Sequence, residues 1–264
     1  MLEPHRRPPL VSVVIPCYGQ ADLLPEAVVS VAAQTTPDWE LVIVDDGSPD
    51  DTADTARHLA AQDGRIQLLH QSHQGVSAAR NAGVRAGTGK YVLPLDADDR
   101  IAPDMLAATT ALLEVEPDVA IAYTDYRRFG EQTEVVHVPE FDPDRLCFRN
   151  FMPTTALLRR LAFDAVGGYS TDMVHGYEDW DLWLGFAERG FQAARIQRVL
   201  YEYRVRTGTR SQGAELAHRA LIEQMRRNHP GFFTPTRRAR GFVKRVPGAI
   251  RLRLDRVEQR LRHE

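Results

Sequence analysis

The sequence predicts an α/β protein built on a Rossmann-like, mainly parallel sheet with helices on both faces, and three observations carry that prediction. Short β-branched runs alternate with helix-period segments through the first half of the chain. Acidic or polar turns follow the first, second and fourth of these runs, where an open sheet of this kind binds ligands. From about Arg127 the alternation stops and a mixed stretch follows with no Gly/Ser-rich linker before it, which reads as a subdomain packed on the same sheet.

The elements follow in order. Val11 to Ile15 makes the first strand, and Asp22 to Ala33 a helix with Leu23, Leu24, Ala27, Val28 and Val31 on one face. Glu40 to Val44 makes the second strand; Ser48, Asp50 or Asp51 caps the next helix, which ends before the turn at Asp63-Gly64. Ile66 to Leu69 is the third strand, Val76 to Ala86 a helix ended by Gly87, and Tyr91 to Leu95 the fourth strand. A helix starting near Pro103 leads to a fifth strand, Val119 to Tyr123. Such crossovers are expected to be right-handed. Beyond them the pattern predicts a strand near Val135 to Val138, helices around Leu161 to Val166, Glu178 to Arg189 and Ala214 to Asn228, and an amphipathic tail interrupted at Pro247-Gly248. The divisions expected are a flexible 1–9, an α/β half over 10–126, a second half of the same domain over 127–212, and a helical, basic tail over 213–264.

With 264 residues, 43% of them apolar, the chain has material for an ordinary buried core. A net charge of -3 and a pI near 6.3 give no global attraction to nucleic acid, and no nucleic-acid partner is expected. The charge is uneven, because residues 237–264 hold ten Lys and Arg against three Asp and Glu. That tail reads either as a helix packed on the acidic body or as a peripheral contact with an anionic membrane. No apolar run approaches the roughly 20 residues that span a bilayer, and the polar, proline-rich start does not read as a secretory leader. The expectation is a cytoplasmic protein, with any membrane contact at the inner face, in which Cys17 and Cys147 form no disulfide.

The chemistry-bearing residues gather at the strand ends. Asp96-Ala97-Asp98-Asp99 puts three carboxylates after the fourth strand, a concentration that a divalent ion such as Mn²⁺ or Mg²⁺ would neutralise while also taking phosphate oxygens. The competing reading is a solvated turn capping the next helix, which is open for Asp99 above all. Asp45-Asp46-Gly47-Ser48 is a turn in which one aspartate is structural and the other can accept from the imide N–H of a pyrimidine. Gly75 to Asn81 opens a helix whose backbone N–H groups, with Arg80, suit a diphosphate. Glu178-Asp179-Trp180-Asp181 begins another: two adjacent carboxylates before an aromatic suit a general base beside a ring able to pack on a sugar face, although helix-dipole acids and core spacing explain part of the segment.

Taken together, Ser12 to Tyr18, Val44 to Ser48, Gly75 to Gly83, Asp96 to Asp99, Val166-Gly167-Gly168-Tyr169 and Glu178 to Asp181 resemble, in order, the motifs of family 2 inverting glycosyltransferases with the GT-A fold. The resemblance covers about residues 10 to 210. It implies transfer of a hexose from a nucleotide-sugar donor, UDP-sugars favoured and TDP-sugars second, to an acceptor hydroxyl with inversion. By position it implies a donor pocket from Pro16, Cys17, Tyr18, Asp46, Arg80, Asp96 and Arg206. It further implies metal contacts from Asp98 and Asp96, the catalytic base at Asp179 with Glu178 helping to position the acceptor, and Trp180 against the acceptor. The acceptor is a carbohydrate, a lipid-linked molecule or a small molecule. The family often carries a Tyr-Arg-x-His pattern near its last strand, where this chain has Tyr203-Arg204-Val205-Arg206, so Arg206 would supply charge without ligating a metal. A nucleotidyltransferase or dehydrogenase would want a glycine-rich phosphate loop after the first strand, and Pro16-Cys17-Tyr18-Gly19-Gln20 offers none. The remaining alternative is a degenerate member that binds carbohydrate or protein without turnover.

Overall fold

The computed structural model describes residues 8–206, 214, 217–237 and 240. Residues 1–7 and nearly all of the basic tail lie outside the described residues, and so do the expectations placed on them.

The sheet grows from strands whose residues are buried on both faces. β1 (Val11–Cys17) is buried throughout, and β2 (Trp39–Asp45) nearly so, which is why both read as continuous apolar runs rather than as alternations. They pair in parallel, with β3 (Ile66–His70) outside β2 and β4 (Tyr91–Pro94) on the far side of β1. Order therefore reverses at β1: the chain steps outward to β2 and β3, then returns to place β4 beside β1. That reversal opens a crevice at the carboxyl ends of β1 and β4.

The connecting helices α1 (Leu24–Ala32), α2 (Thr52–Gln62), α3 (Val76–Ala86) and α4 (Met105–Val115) cover the two faces. Strand alternation decides the partition. Val13 and Ile15 share a core with Leu24, Val28, Ala56 and Leu106, whereas Val14 and Val44 pack with Ala79 and Val84 of α3. α3 approaches the sheet closely at Gly83, where an added Cβ would run into Val14 and Val44.

Beyond α4 the sheet departs from a simple parallel series. β6 (Val119–Gly130) runs on for 12 residues, well past Tyr123, and it does not pair with β4. A three-residue strand, β8 (Leu157–Arg159), slots antiparallel between them, bonding Tyr91 and Val92 on one side and Ile121 and Ala122 on the other. β9 (Gln192–Val205) lies parallel to β6 with register shifts near Thr124 and Asp125, and the two-residue β5 (Arg100–Ile101) closes the edge antiparallel to β9. β7 (Glu134–Val136) forms a short antiparallel ribbon with β6. α5 (Arg160–Val166), α6 (Glu178–Glu188) and α7 (His218–Asn228) join the α3 side of the core through Phe163, Trp183, Phe186, Leu221 and Met225. The mainly parallel α/β sheet expected from sequence is thus present, with both halves of the chain in one continuous sheet.

Gly83→Val should lower unfolding stability by about 1–3 kcal/mol in urea titration, because the α3–sheet contact has no room for the side chain. Gly64→Ala, in open space at ordinary φ, should stay within about 0.5 kcal/mol.

Candidate active site

Each loop at the crevice is held by polar side chains of its neighbours. After β1, the N–H groups of Gly19, Gln20 and Ala21 donate to Ser48 Oγ, Thr52 Oγ1 and Asp50 Oδ2, tying this loop to the one after β2. Pro16 is buried within β1. Tyr18 stays 48% exposed with its ring 4.2 Å from that of His73, so the two present an aromatic surface to solvent. Cys17 does not: its thiol is buried, donates to Val44 O at 3.4 Å, and is pushed up to about 12 by burial and the charge of Asp45. The expectation that the Cys17 side chain lines a donor pocket is corrected, because strand alternation turns it into the core.

The two aspartates where β2 ends, Asp45 and Asp46, are both buried. Asp45 accepts from Ser48 N and meets His70 Nδ1 at 2.7 Å. Asp46 accepts from Gln71 Nε2 and Gln74 N on Oδ1, and from Gly75 N on Oδ2, with His73 Nδ1 2.9 Å from the same oxygen. Four donors around one carboxylate make Asp46 the anchor of the loop that leads into α3. A base seeking Asp46 would compete with them.

The acidic loop after β4 is fully engaged. Asp96 pairs with Arg80 Nη2 at 2.5 Å and Asp98 with Arg206 at 2.8 Å. Burial, then the charge of Asp96, raises the Asp98 pKa while Arg206 opposes the rise. Asp99 is 1% exposed, accepts from Tyr201 Oη and from Arg204 N, and is pushed well above the usual carboxylate range by burial and by Asp98. It fastens the loop to β9 and caps no helix.

Arg80 is where the loops meet. Its guanidinium is 2% exposed, gives Nη2 to Asp96 and Nη1 to Glu178 at 3.0 Å, and lies 5.2 Å from the Tyr169 ring centroid. Burial works against the charge, but Asp96 and Glu178 keep the group firmly protonated. Arg80 therefore does not stand open to a diphosphate as the sequence suggested; it bridges the acidic loop to α6. Tyr169 is placed by the paired glycines before it: Gly167 and Gly168 take positive φ, and Asn81 of α3 clasps the Tyr169 backbone with Nδ2 to O at 2.8 Å and N to Oδ1 at 2.9 Å.

α6 is preceded by Tyr177 at its N-cap, which holds φ +59°, a left-handed conformation uncommon for a bulky residue. Asp179 follows in the first turn. Its Oδ2 accepts from Asn150 Nδ2 at 2.9 Å and Thr154 Oγ1 at 3.0 Å, and its Oδ1 from Trp180 N at 2.7 Å. Burial and the neighbouring Glu178 raise its pKa to about 6, against the opposing hydrogen bonds and Arg80. A carboxylate so tuned is ionised at neutral pH yet basic enough to take a proton. Asp181 has another task, accepting from Asn228 and approaching His229 at 3.1 Å to dock the end of α7.

Trp180 requires a correction. Its indole is 3% exposed and donates Nε1 to Leu146 O, so it belongs to the core and offers no face to a sugar. Helical phasing puts it on the inner side of α6 with Trp183 and Leu184. The Tyr177 ring packs 5.3 Å from that of Trp180 and 5.9 Å from that of His218. Asn150, Thr154, His73 and Tyr177 were not singled out from sequence. Only Tyr177, next to the acidic pair, carried a local hint.

The cation expected at Asp96 and Asp98 is tested by the donor set. Among the described residues no group of three or more His, Cys, Asp or Glu is arranged to hold a metal. Asp98 has the hard oxygens Mn²⁺ or Mg²⁺ prefers, so an ion fits only with donor phosphates completing its shell and with Arg206 displaced from the carboxylate. Among the described residues no helix is long and apolar enough to cross a membrane.

The chain matches the model of Glycosyl transferase family 2 over residues 12–176. It is 37% identical over 183 residues to a PGL/p-HBAD biosynthesis glycosyltransferase of Mycobacterium bovis, covering 66% of this chain and 68% of that one. It is also 31% identical over 234 residues to the protein y4gI of Sinorhizobium fredii, covering 83% of this chain but spanning only 26% of that protein's length. Among solved structures, S. aureus TarS 1-349 in complex with UDP-GlcNAc superimposes with a TM-score of 0.71 at 17% identity, over 88% of this chain and 69% of that one. The mannosyltransferase PcManGT of Pyrobaculum calidifontis, in complex with GDP-Man and Mn2+, gives 0.62 at 20% identity over 96% and 81%. With the sequence match spanning most of the sheet and the crevice loops, the chain belongs to glycosyl transferase family 2 and has the GT-A fold.

Proposed function

We propose that this chain transfers a hexose from a nucleotide-sugar donor, with UDP-sugars favoured, to an acceptor hydroxyl, with inversion at the anomeric carbon. One observation carries the reading: buried Arg80 holds the Asp96 loop and the Glu178-Asp179 turn against a single crevice, so donor-side and acceptor-side carboxylates face the same space. The donor class is supported by the UDP-GlcNAc bound to TarS, and GDP-sugars stay in contention through PcManGT. The exposed rings of Tyr18 and His73 offer a surface for the base, on a loop that Asp46 keeps in place. The mycobacterial relative is named for PGL/p-HBAD biosynthesis, and that name supports a biosynthetic acceptor of that kind.

The chemistry is a single displacement. The acceptor O–H bond breaks as Asp179 takes the proton, the oxygen forms a bond to the anomeric carbon, and the bond from that carbon to the diphosphate breaks with its electron pair leaving on the nucleotide. Glu178, fixed by Arg80, adds negative charge beside Asp179 and keeps it basic. Arg206, 42% exposed and paired with Asp98, is the guanidinium we assign to the leaving diphosphate. A Mn²⁺ or Mg²⁺ ion held by Asp98 and the donor phosphates would supply further charge neutralisation to that leaving group.

A binding module without turnover is favoured by one feature, that Asp96 and Asp98 are each already paired with a guanidinium. Thermal unfolding with a panel of UDP-, TDP- and GDP-sugars plus Mn²⁺ tests donor binding. A matched donor at about 100 Kd should raise Tm by about 5–10 °C, and no shift with any of them would refute the donor reading. With that donor, Asp179→Asn should keep its fold and lose about 10²- to 10⁴-fold in kcat, and wild-type kcat/KM should rise with pH and level off above about 6. Undiminished transfer by Asp179→Asn would remove Asp179 from the base role, and donor binding without any turnover would favour the module.

A further inference from the structure

We propose that Asn150 and Thr154 are positioning residues for the Asp179 carboxylate, and that by occupying Oδ2 they leave Oδ1 as the atom that receives the acceptor's proton. The inference rests on Asp179 being the general base.

A carboxylate oxygen offers two lone pairs. Oδ2 takes two donors, Asn150 Nδ2 at 2.9 Å and Thr154 Oγ1 at 3.0 Å, which fills it. On Oδ1 the described residues place the single backbone donor Trp180 N at 2.7 Å, so one lone pair is left. Both donor directions are fixed. An ionised carboxylate accepts only, so the Thr154 hydroxyl must donate. The Asn150 amide has its orientation set from the other end, because Asn150 Oδ1 accepts from Met152 N at 3.3 Å and this turns Nδ2 toward Asp179. The two oxygens are therefore unequal, and rotation of the carboxylate to exchange them would break two side-chain hydrogen bonds at once.

The clamp is also rigidly mounted. Asn150 and Thr154 lie in the segment that runs straight into β8, whose three residues pair with β4 and β6 together in the middle of the sheet. Thr155 and Ala156, between the clamp and β8, are fully buried. The short antiparallel strand that interrupts the parallel series thus delivers two donors to the first turn of α6, across the crevice from the acidic loop. This gives the segment a role in the reaction beyond packing: it selects the proton-accepting oxygen and, by donating to the charged form, keeps Asp179 from becoming too weak an acid to ionise.

Groups of charge or proton affinity facing Asp179 are Glu178 on its own helix, Arg80 from α3 and Tyr169 from the Gly167-Gly168 turn; Asn150 and Thr154 are the neutral donors. Burial and Glu178 raise the folded-state pKa to about 6, above the unfolded value. The folded state therefore binds this proton more tightly, and the stability that Asp179 contributes is complete below about pH 4 and lost as pH rises through about 6. Removing a donor to the charged form must push that midpoint higher.

Urea unfolding of the full chain between pH 4 and 8, without substrate, reads this directly in wild type, Thr154→Val, Thr154→Ser and Asn150→Leu, each also in an Asp179→Asn background. Thr154→Val and Asn150→Leu should each move the midpoint up by about one pH unit, Thr154→Ser should restore it, and none should change the pH slope when Asp179 is Asn. With the donor selected by thermal shift, the acid limb of kcat should move by the same amount while donor KM changes less than twofold. An unmoved midpoint in both Thr154→Val and Asn150→Leu, or an equal shift in the Asp179→Asn background, would overturn the clamp. Full activity in Asp179→Asn alone would instead overturn the base assignment, so the two failures are distinguishable.

Discussion

The buried guanidinium of Arg80 is the interaction on which the rest of the site depends. It sits at 2% exposure between Asp96, at the carboxyl end of β4, and Glu178, at the start of α6. Neither partner would tolerate its removal, since breaking a buried ion pair from one side costs about 3–5 kcal/mol through the charges left behind. The same bridge fixes distance and sign across the crevice. With Asp96, Asp98, Asp99, Glu178 and Asp179 gathered at one edge, the cluster is tolerable only because Arg80, Arg204 and Arg206 each reach into it.

That surplus of negative charge has a chemical consequence. Carboxylates crowded in a partly desolvated edge resist ionisation, and Asp179 feels this through burial and through Glu178. Its pKa near 6 is thus a product of the fold and not of the residue. Asp99 shows the same physics without the exposure, being buried under Tyr201 and committed to structure. Environment, more than residue type, separates the carboxylate proposed as the base from a structural one here.

How much of this was legible in the sequence follows from how each element earns its stability. β1, β2 and β4 were readable because strands buried on both faces must be apolar throughout, the edge strand β3 because Ile66, Leu68 and Leu69 form a short apolar run between turns, and the helices between them because they must be amphipathic. β8 and β5, with three and two residues, are too short to carry a period, and β9 is read only through its tertiary pairing, with shifts in register that blur any alternation. In the site, Asp96, Asp98, Glu178 and Asp179 announced themselves as clustered acids. Trp180 did not announce its burial, because an aromatic beside two carboxylates suits either a sugar face or a core, and only the phase of α6 against Leu146 decides. Asn150 and Thr154 gave no local signal at all: a polar residue in a loop becomes informative only when the sheet brings it 2.9–3.0 Å from a carboxylate 25 or more positions away.

The central claim is that one crevice, closed across by Arg80, presents a donor's anomeric carbon to an acceptor activated by Asp179. Stereochemistry tests it most directly. Proton NMR of the anomeric signal during transfer from the matched nucleotide sugar should show a first-formed product of opposite configuration to the donor, as a single displacement requires. A first-formed product that keeps the donor's configuration would contradict the account.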